Sequence, residues 1–194
     1  GEESIIDASG GENAVVPEAD NITIDGFTFD GGKRALHSAG SPSVENLKFL
    51  NNIVKNTSGS AVVLNGWQDT APNYHKKSAT IRNNTFDDNH YAIRFNTYVQ
   101  DTTVENNTIT NSNQADPHYW GSVVVQGEGR IENITFIGNT ITNNENLAGI
   151  ALLAGADNAT YKDITIEDNE ISSNYHGIVI EKEWEYGPGP LSLD

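Results

Sequence analysis

The chain contains no cysteine and no methionine. The first absence removes disulfide staples and thiol chemistry and leaves the redox compartment open. The second extends to position 1, which points to a processed or excised piece and is compatible with the removal of a signal peptide. There is no run of about 18 apolar residues, so no membrane-spanning helix is expected. Helical apolar spacing is missing as well, and no amphipathic segment is available to cap a fold. Basic residues are few: 11 Lys plus Arg stand against 27 Asp plus Glu in 194 residues, a net charge of −16. Nucleic acid and anionic membranes both require a basic surface and are excluded as partners. The acidic balance fits a self-repelling soluble surface, a cationic partner or divalent cations. No cofactor is read from the sequence; calcium is the one ion left open, and no metal-ligand set is defined.

What the chain does have is a repeat. Ala79 to Phe95 reads ATIRNNTFDDNHYAIRF, three short alternating strands separated by Asn/Asp turns. The apolar pair Ala79/Ile81 of its first strand recurs as Ile22/Ile24, Leu47/Phe49, Thr102/Val104, Ile134/Phe136 and Ile164/Ile166. The position after the first turn reads Phe27, Asn52, Asn84, Asn107, Asn139, Asn169, and two residues later come Phe29, Val54, Phe86, Ile109, Ile141, Ile171. The third strand contributes Leu36, Val62/Leu64, Ile93/Phe95, Val123/Val125, Ile150/Leu152 and Ile178/Ile180. Units of ~20–30 residues that cannot bury themselves alone are the signature of a solenoid. The expectation is one domain over 1–194: a partial first coil in 1–20, six coils in 21–180 and a tail in 181–194. The prolines of that tail do not continue a strand.

Stacking explains the columns. Coils paired in parallel lie ~4.8 Å apart, so equivalent side chains sit on one another. Apolar columns then become a continuous core. An inward column of Asn52, Asn84, Asn107, Asn139 and Asn169 hydrogen-bonds along the stack and satisfies the turn groups. Units such as Ile164-Thr165-Ile166 with Asn169 and Ile171 resemble the right-handed parallel β-helix, or pectin-lyase-like, superfamily, over about Ile22 to Ile180. The resemblance implies an all-β, right-handed parallel solenoid. It implies function only broadly, because that superfamily holds lyases, hydrolases, epimerases, phage tail proteins, adhesins and surface proteins.

Two polar excursions interrupt the repeat, 66–77 and 113–120, and solenoid insertions usually map to a working face. Register places His90-Tyr91 and Tyr175-His176 at one coil position, beside the second excursion with Asp116, His118, Tyr119 and Trp120. Such His and Tyr groups suit acid–base work, although residues of this kind at a turn also simply cover the rim of a core. Asp116-Pro117-His118 is similar to the D-P-H core of mannuronan epimerases, which implies catalytic roles for Asp116 and His118. Tyr119 and Asn113 depart from that family's Glu and Tyr. Under an enzyme reading, a lyase or epimerase of acidic polysaccharide, the catalytic set is Asp116, His118, Tyr119, His90 and Tyr91. Trp67, Tyr74, Trp120, Tyr175 and His176 are the candidate sugar-binding groups.

Six Asn-x-Ser/Thr sequons occur, at Asn21, Asn56, Asn83, Asn106, Asn133 and Asn158. Asn83 and Asn106 precede the inward column and are the glycosylation candidates. The reading favoured over the enzyme is a structural protein, extracellular or on the cell surface. It pairs head to tail with copies of itself, or with neighbouring domains of a longer chain, because neither end of the coil stack carries a cap.

Overall fold

In the computed structural model, the described residues are 4–39, 43–66, 76–113, 120–127, 129–154 and 159–182. Every regular element among them is a strand, and every strand pairing is parallel between successive rungs of a solenoid. Three sheets form its walls. Sheet 1 follows one path through Thr23–Asp25, Lys48–Leu50, Thr80–Arg82, Val99–Glu105, Arg130–Ile137 and Thr160–Glu167. Sheet 2 has seven strands, from Ser4–Asp7 and Phe27–Asp30 to Glu170–Ser172. Sheet 3 also has seven, from Asn13–Val15 and Arg34–Ala39 to His176–Lys182.

The strands form because alternate residues are apolar and face the interior. In sheet 1, Ile24, Phe49, Ile81, Val104, Phe136 and Ile166 make one column. Phe29, Val54, Phe86, Ile109 and Ile141 make another in sheet 2, and all five are buried. Each such side chain contributes about 1.5–3 kcal/mol by leaving water. Aromatic pairs reinforce the columns: Phe29 stacks on Phe49 at 5.8 Å and Phe95 on Phe136 at 6.2 Å.

The corners require left-handed backbone, and the sequence supplies the residues that tolerate it. One corner column is Asn21, Asn46, Ser78, Asp101, Asn133, Asp163. The next is Gly26, Asn51, Asn83, Asn106, Gly138, Asp168, and the third is Gly31, Asn56, Asp88, Asn111, Asn143, Ser173; all have positive φ. Many corner amides also reach back one rung. Asn51 Nδ2 donates to Asp25 at 2.7 Å, Asn56 to Asp30 at 2.7 Å, Asn111 to Asp87 at 2.7 Å and Asn133 to Asp101 at 2.8 Å.

Inside the second corner runs the asparagine ladder. The backbone N–H groups of Asn52, Asn84, Asn107 and Asn139 each donate to the Oδ1 of the next Asn, at 2.9 Å. The same Oδ1 atoms accept from the preceding Nδ2 at 3.2, 2.9, 3.0 and 2.8 Å. Each Nδ2 also donates to a strand carbonyl, as Asn107 does to Ile81 at 2.9 Å. The first four asparagines are 1% exposed. Asn169, expected in the interior with them, is only half-buried and belongs to the last rung of the described residues.

A second inward ladder, absent from the sequence reading, lines the third corner. Thr57 donates to Asn89 Oδ1 through its hydroxyl at 2.8 Å, Ser112 N–H donates to Asn144 Oδ1 at 2.8 Å, and Asn144 Nδ2 donates to Asn174 Oδ1 at 2.7 Å. It is interrupted at Ser112, whose buried hydroxyl finds no partner among the described residues.

One expectation is corrected. Lys76 and Lys77 do not belong to the polar excursion. They form a short strand of sheet 1, with Lys76 between Val44 and Val99. That column faces inward, so Lys76 is 2% exposed.

Candidate functional site

The outer face of sheet 3 gathers most of the candidate residues that the described segments include. One of its columns runs Ser60, Tyr91, Gly121, Ala148, His176, and another runs His37, Val63, Arg94, Val124, Ala151, Val179. Tyr91, Val124, Leu147, Ala148, Ala151, Leu153 and Val179 form an apolar cluster on this face, with Trp120 packed against it. Trp120 lies 5.8 Å from the Tyr91 ring, and the Arg94 guanidinium stands over the indole at 5.1 Å. Arg94 Nε also donates to Asn96 Oδ1 at 3.1 Å. His90 meets Tyr91 edge to face at 4.6 Å.

This packing sets the chemistry. Tyr91 is 6% exposed. Burial pushes its phenol up to about 12, with the Arg94 charge pulling weakly the other way. A phenolate base is therefore disfavoured at neutral pH. Burial also lowers the pKa of His90 and so favours its neutral imidazole. His37, on the same face, is lowered by burial first and then by Arg34 and Lys33. Lys76 is driven down to about 8 by loss of water.

The structure brings His90, Tyr91 and Trp120 together. It does not bring Tyr175 and His176 to them. These two form their own edge-to-face pair at 4.6 Å. They lie three rungs from Tyr91, with Gly121 and Ala148 between, a separation of about 14 Å at the usual strand spacing. Asp116, His118, Tyr119, Trp67 and Tyr74 lie outside the described residues. Among the described residues no group of three or more His, Asp or Glu is placed to hold a metal ion. Nor is any helix among the described residues long and apolar enough to cross a membrane.

The sequon residues Asn21, Asn56, Asn83, Asn106 and Asn133 all occupy left-handed corners and are exposed. Asn158 lies outside the described residues. Asn83 Nδ2 donates to Asn51 Oδ1 at 3.2 Å, whereas Asn106 Nδ2 reaches only its neighbour Glu105, at 3.3 Å. Of the two glycosylation candidates, Asn106 thus leaves its amide less committed to the neighbouring rung.

The ends of the stack are the other candidate surface. In sheet 3, Ile150 and Leu152 are 0% and 7% exposed, whereas Ile178 and Ile180, one rung on, are 46% and 74% exposed. Ile164, Ile166 and Ile171 of the same last rung are half-buried, below fully covered counterparts. At the opposite end, Ile6 and Val15 are half-buried, while Phe29 and Leu36 above them are sealed. Ser4–Asp7 and Glu170–Ser172 are the two edge strands of sheet 2. Asn13–Val15 and His176–Lys182 are those of sheet 3. Among the described residues, apolar columns and sheet edges therefore both end without a covering rung. The sequence signal for this was available: Ile178 and Ile180 are the last members of the third-strand column.

A family described as "Right handed beta helix region" matches residues 74–184, more than half of the chain. No curated protein and no solved structure matches it.

Proposed function

The chain belongs to the right-handed β-helix family, and from that premise we propose that it is a structural module of the cell exterior that stacks end to end with copies of itself into a filament, sheath or surface layer. The family is consistent with a surface or carbohydrate-related protein. The observation that carries the finer reading is the pair of open ends. Ile178 and Ile180 stand where every earlier rung has a neighbour to cover it.

An open parallel edge is a template for another strand. The two ends differ, so their contact is heterologous, and a heterologous contact that does not close a ring grows. Charge opposes that growth. At a net −16, like-charged modules repel over a Debye length of ~10 Å at 0.1 M salt. Assembly is therefore favoured by high salt or by divalent cations, calcium included. Light scattering of the purified chain against salt and calcium tests this. Growth is expected to rise with ionic strength and to be abolished by Ile180→Lys, with the circular dichroism of the monomer unchanged. A chain that stays monomeric at every ionic strength overturns the proposal. Its open ends then fit neighbouring domains of a longer chain.

A further inference from the structure

Resting on the end-to-end reading, we propose that the joint between copies keeps the register of the internal rungs. Glu170–Ser172 of one copy pairs parallel with Ser4–Asp7 of the next, and His176–Lys182 pairs with Asn13–Val15. The register follows from columns already fixed inside the molecule. Glu170 continues the column of Thr28, to which Ile5 pairs; Ile171 continues that of Phe29 and Ile6; Ser172 continues that of Asp30 and Asp7. In sheet 3, Ile178 continues the column of Leu36 and Val15, and His176 that of Arg34 and Asn13.

Carried across the joint, this alignment sets Ile171 on Ile6 and Ile178 on Val15, and so buries the half-covered apolar groups of both ends. It sets Asn169 on Ser4, where the ladder meets a hydroxyl. The flanking pairs avoid like charge: Glu170 meets Ile5, Ser172 meets Asp7 and His176 meets Asn13. Other registers do worse. A one-residue slip turns each inward side chain outward. A two-residue slip in one direction puts Glu170 on Asp7, and like charges directly opposite are destabilising. In the other direction it puts Ile171 on Ser4. The register is defined for sheets 2 and 3, to which the described first-rung strands Ser4–Asp7 and Asn13–Val15 belong.

The absence of native cysteine gives a background-free test by disulfide trapping. Paired positions on adjacent strands lie ~4.8 Å apart, within the Cα separation a disulfide spans. Positions offset by two residues lie ~8 Å apart and beyond it. Two in-register double variants, Glu170→Cys with Ile5→Cys and Ser172→Cys with Asp7→Cys, are oxidised under conditions where the unmodified chain scatters light as a polymer. The out-of-register control is Ser172→Cys with Ile5→Cys. A covalent ladder on a denaturing gel, about tenfold stronger for the in-register pairs, is expected. Scattering by the unmodified chain with equal or stronger trapping in the control overturns the register and leaves stacking intact. The absence of scattering by the unmodified chain under any condition overturns the stacking itself, and the register with it.

Discussion

At the scale of single residues, the most consequential side chain is Lys76. It occupies an inward position in a column whose other members are Val44, Val99, Ile131 and Tyr161. Loss of water lowers its pKa from 10.5 to about 8. The folded state therefore holds the proton less tightly than the unfolded chain. The resulting cost is fully present below pH about 8. It falls as pH rises and is gone above the unfolded value of ~10.4. Relative to the native chain, Lys76→Leu is expected to lose on the order of 3 kcal/mol of its stability advantage as pH rises from 8 to 10.5. Urea titrations of both proteins across that range measure it, and a gain independent of pH would refute the desolvation account. Lys76 was illegible in the sequence because it abuts a polar run and another lysine. Only its pairing with Val44 and Val99 reveals which way it points.

At the scale of elements, the corners decide the fold as much as the strands do. Each corner needs a residue with positive φ, and Gly138 fills one at φ +66° in a column otherwise made of Asn, Asp and Gly26. A Cβ there would also press on the Asn106 side chain of the preceding rung. Gly138→Ala is expected to cost about 1–2 kcal/mol from the backbone alone, more than Gly177→Ala, where a Cβ meets nothing within 4 Å. Thermal melts of the two variants compare them, and equal losses would show that the corner geometry is not limiting. The same elements explain what the sequence revealed. The first asparagine ladder was legible because Asn52, Asn84, Asn107 and Asn139 fall at a fixed offset from the strands on both sides. The second was not. Its rungs mix Thr57, Asn89, Ser112, Asn144 and Asn174, and the corner that follows differs in length from coil to coil, which breaks the alignment. The outer-face cluster was legible only in part. His90, Tyr91 and Trp120 could be grouped by register, but no pattern showed that Val124, Ala151 and Val179 would bury the outer side of sheet 3 as well as its inner side.

At the scale of the whole molecule, contacts run almost entirely between successive rungs, so stability is close to a sum over nearest neighbours. Unfolding then begins at the ends, where rungs have one neighbour instead of two. Amide exchange is expected to be slowest at Ile81, Val104 and Phe136 and faster at Ile6 and Ile178, by roughly two orders of magnitude if a terminal rung opens ~3 kcal/mol more easily. Uniform protection along the stack would show a single cooperative block instead.

The parallel pairing has a metrical consequence too. Each rung adds ~4.8 Å along the axis whatever its corners contain, so the seven strands of sheet 2 mark off about 29 Å from first to last. Residues gained or lost at a corner change the girth of the molecule and leave that graduation untouched. The chain is in this sense a ruler: its length is counted in rungs rather than in residues, and a polymer of it would carry the same scale from one copy to the next.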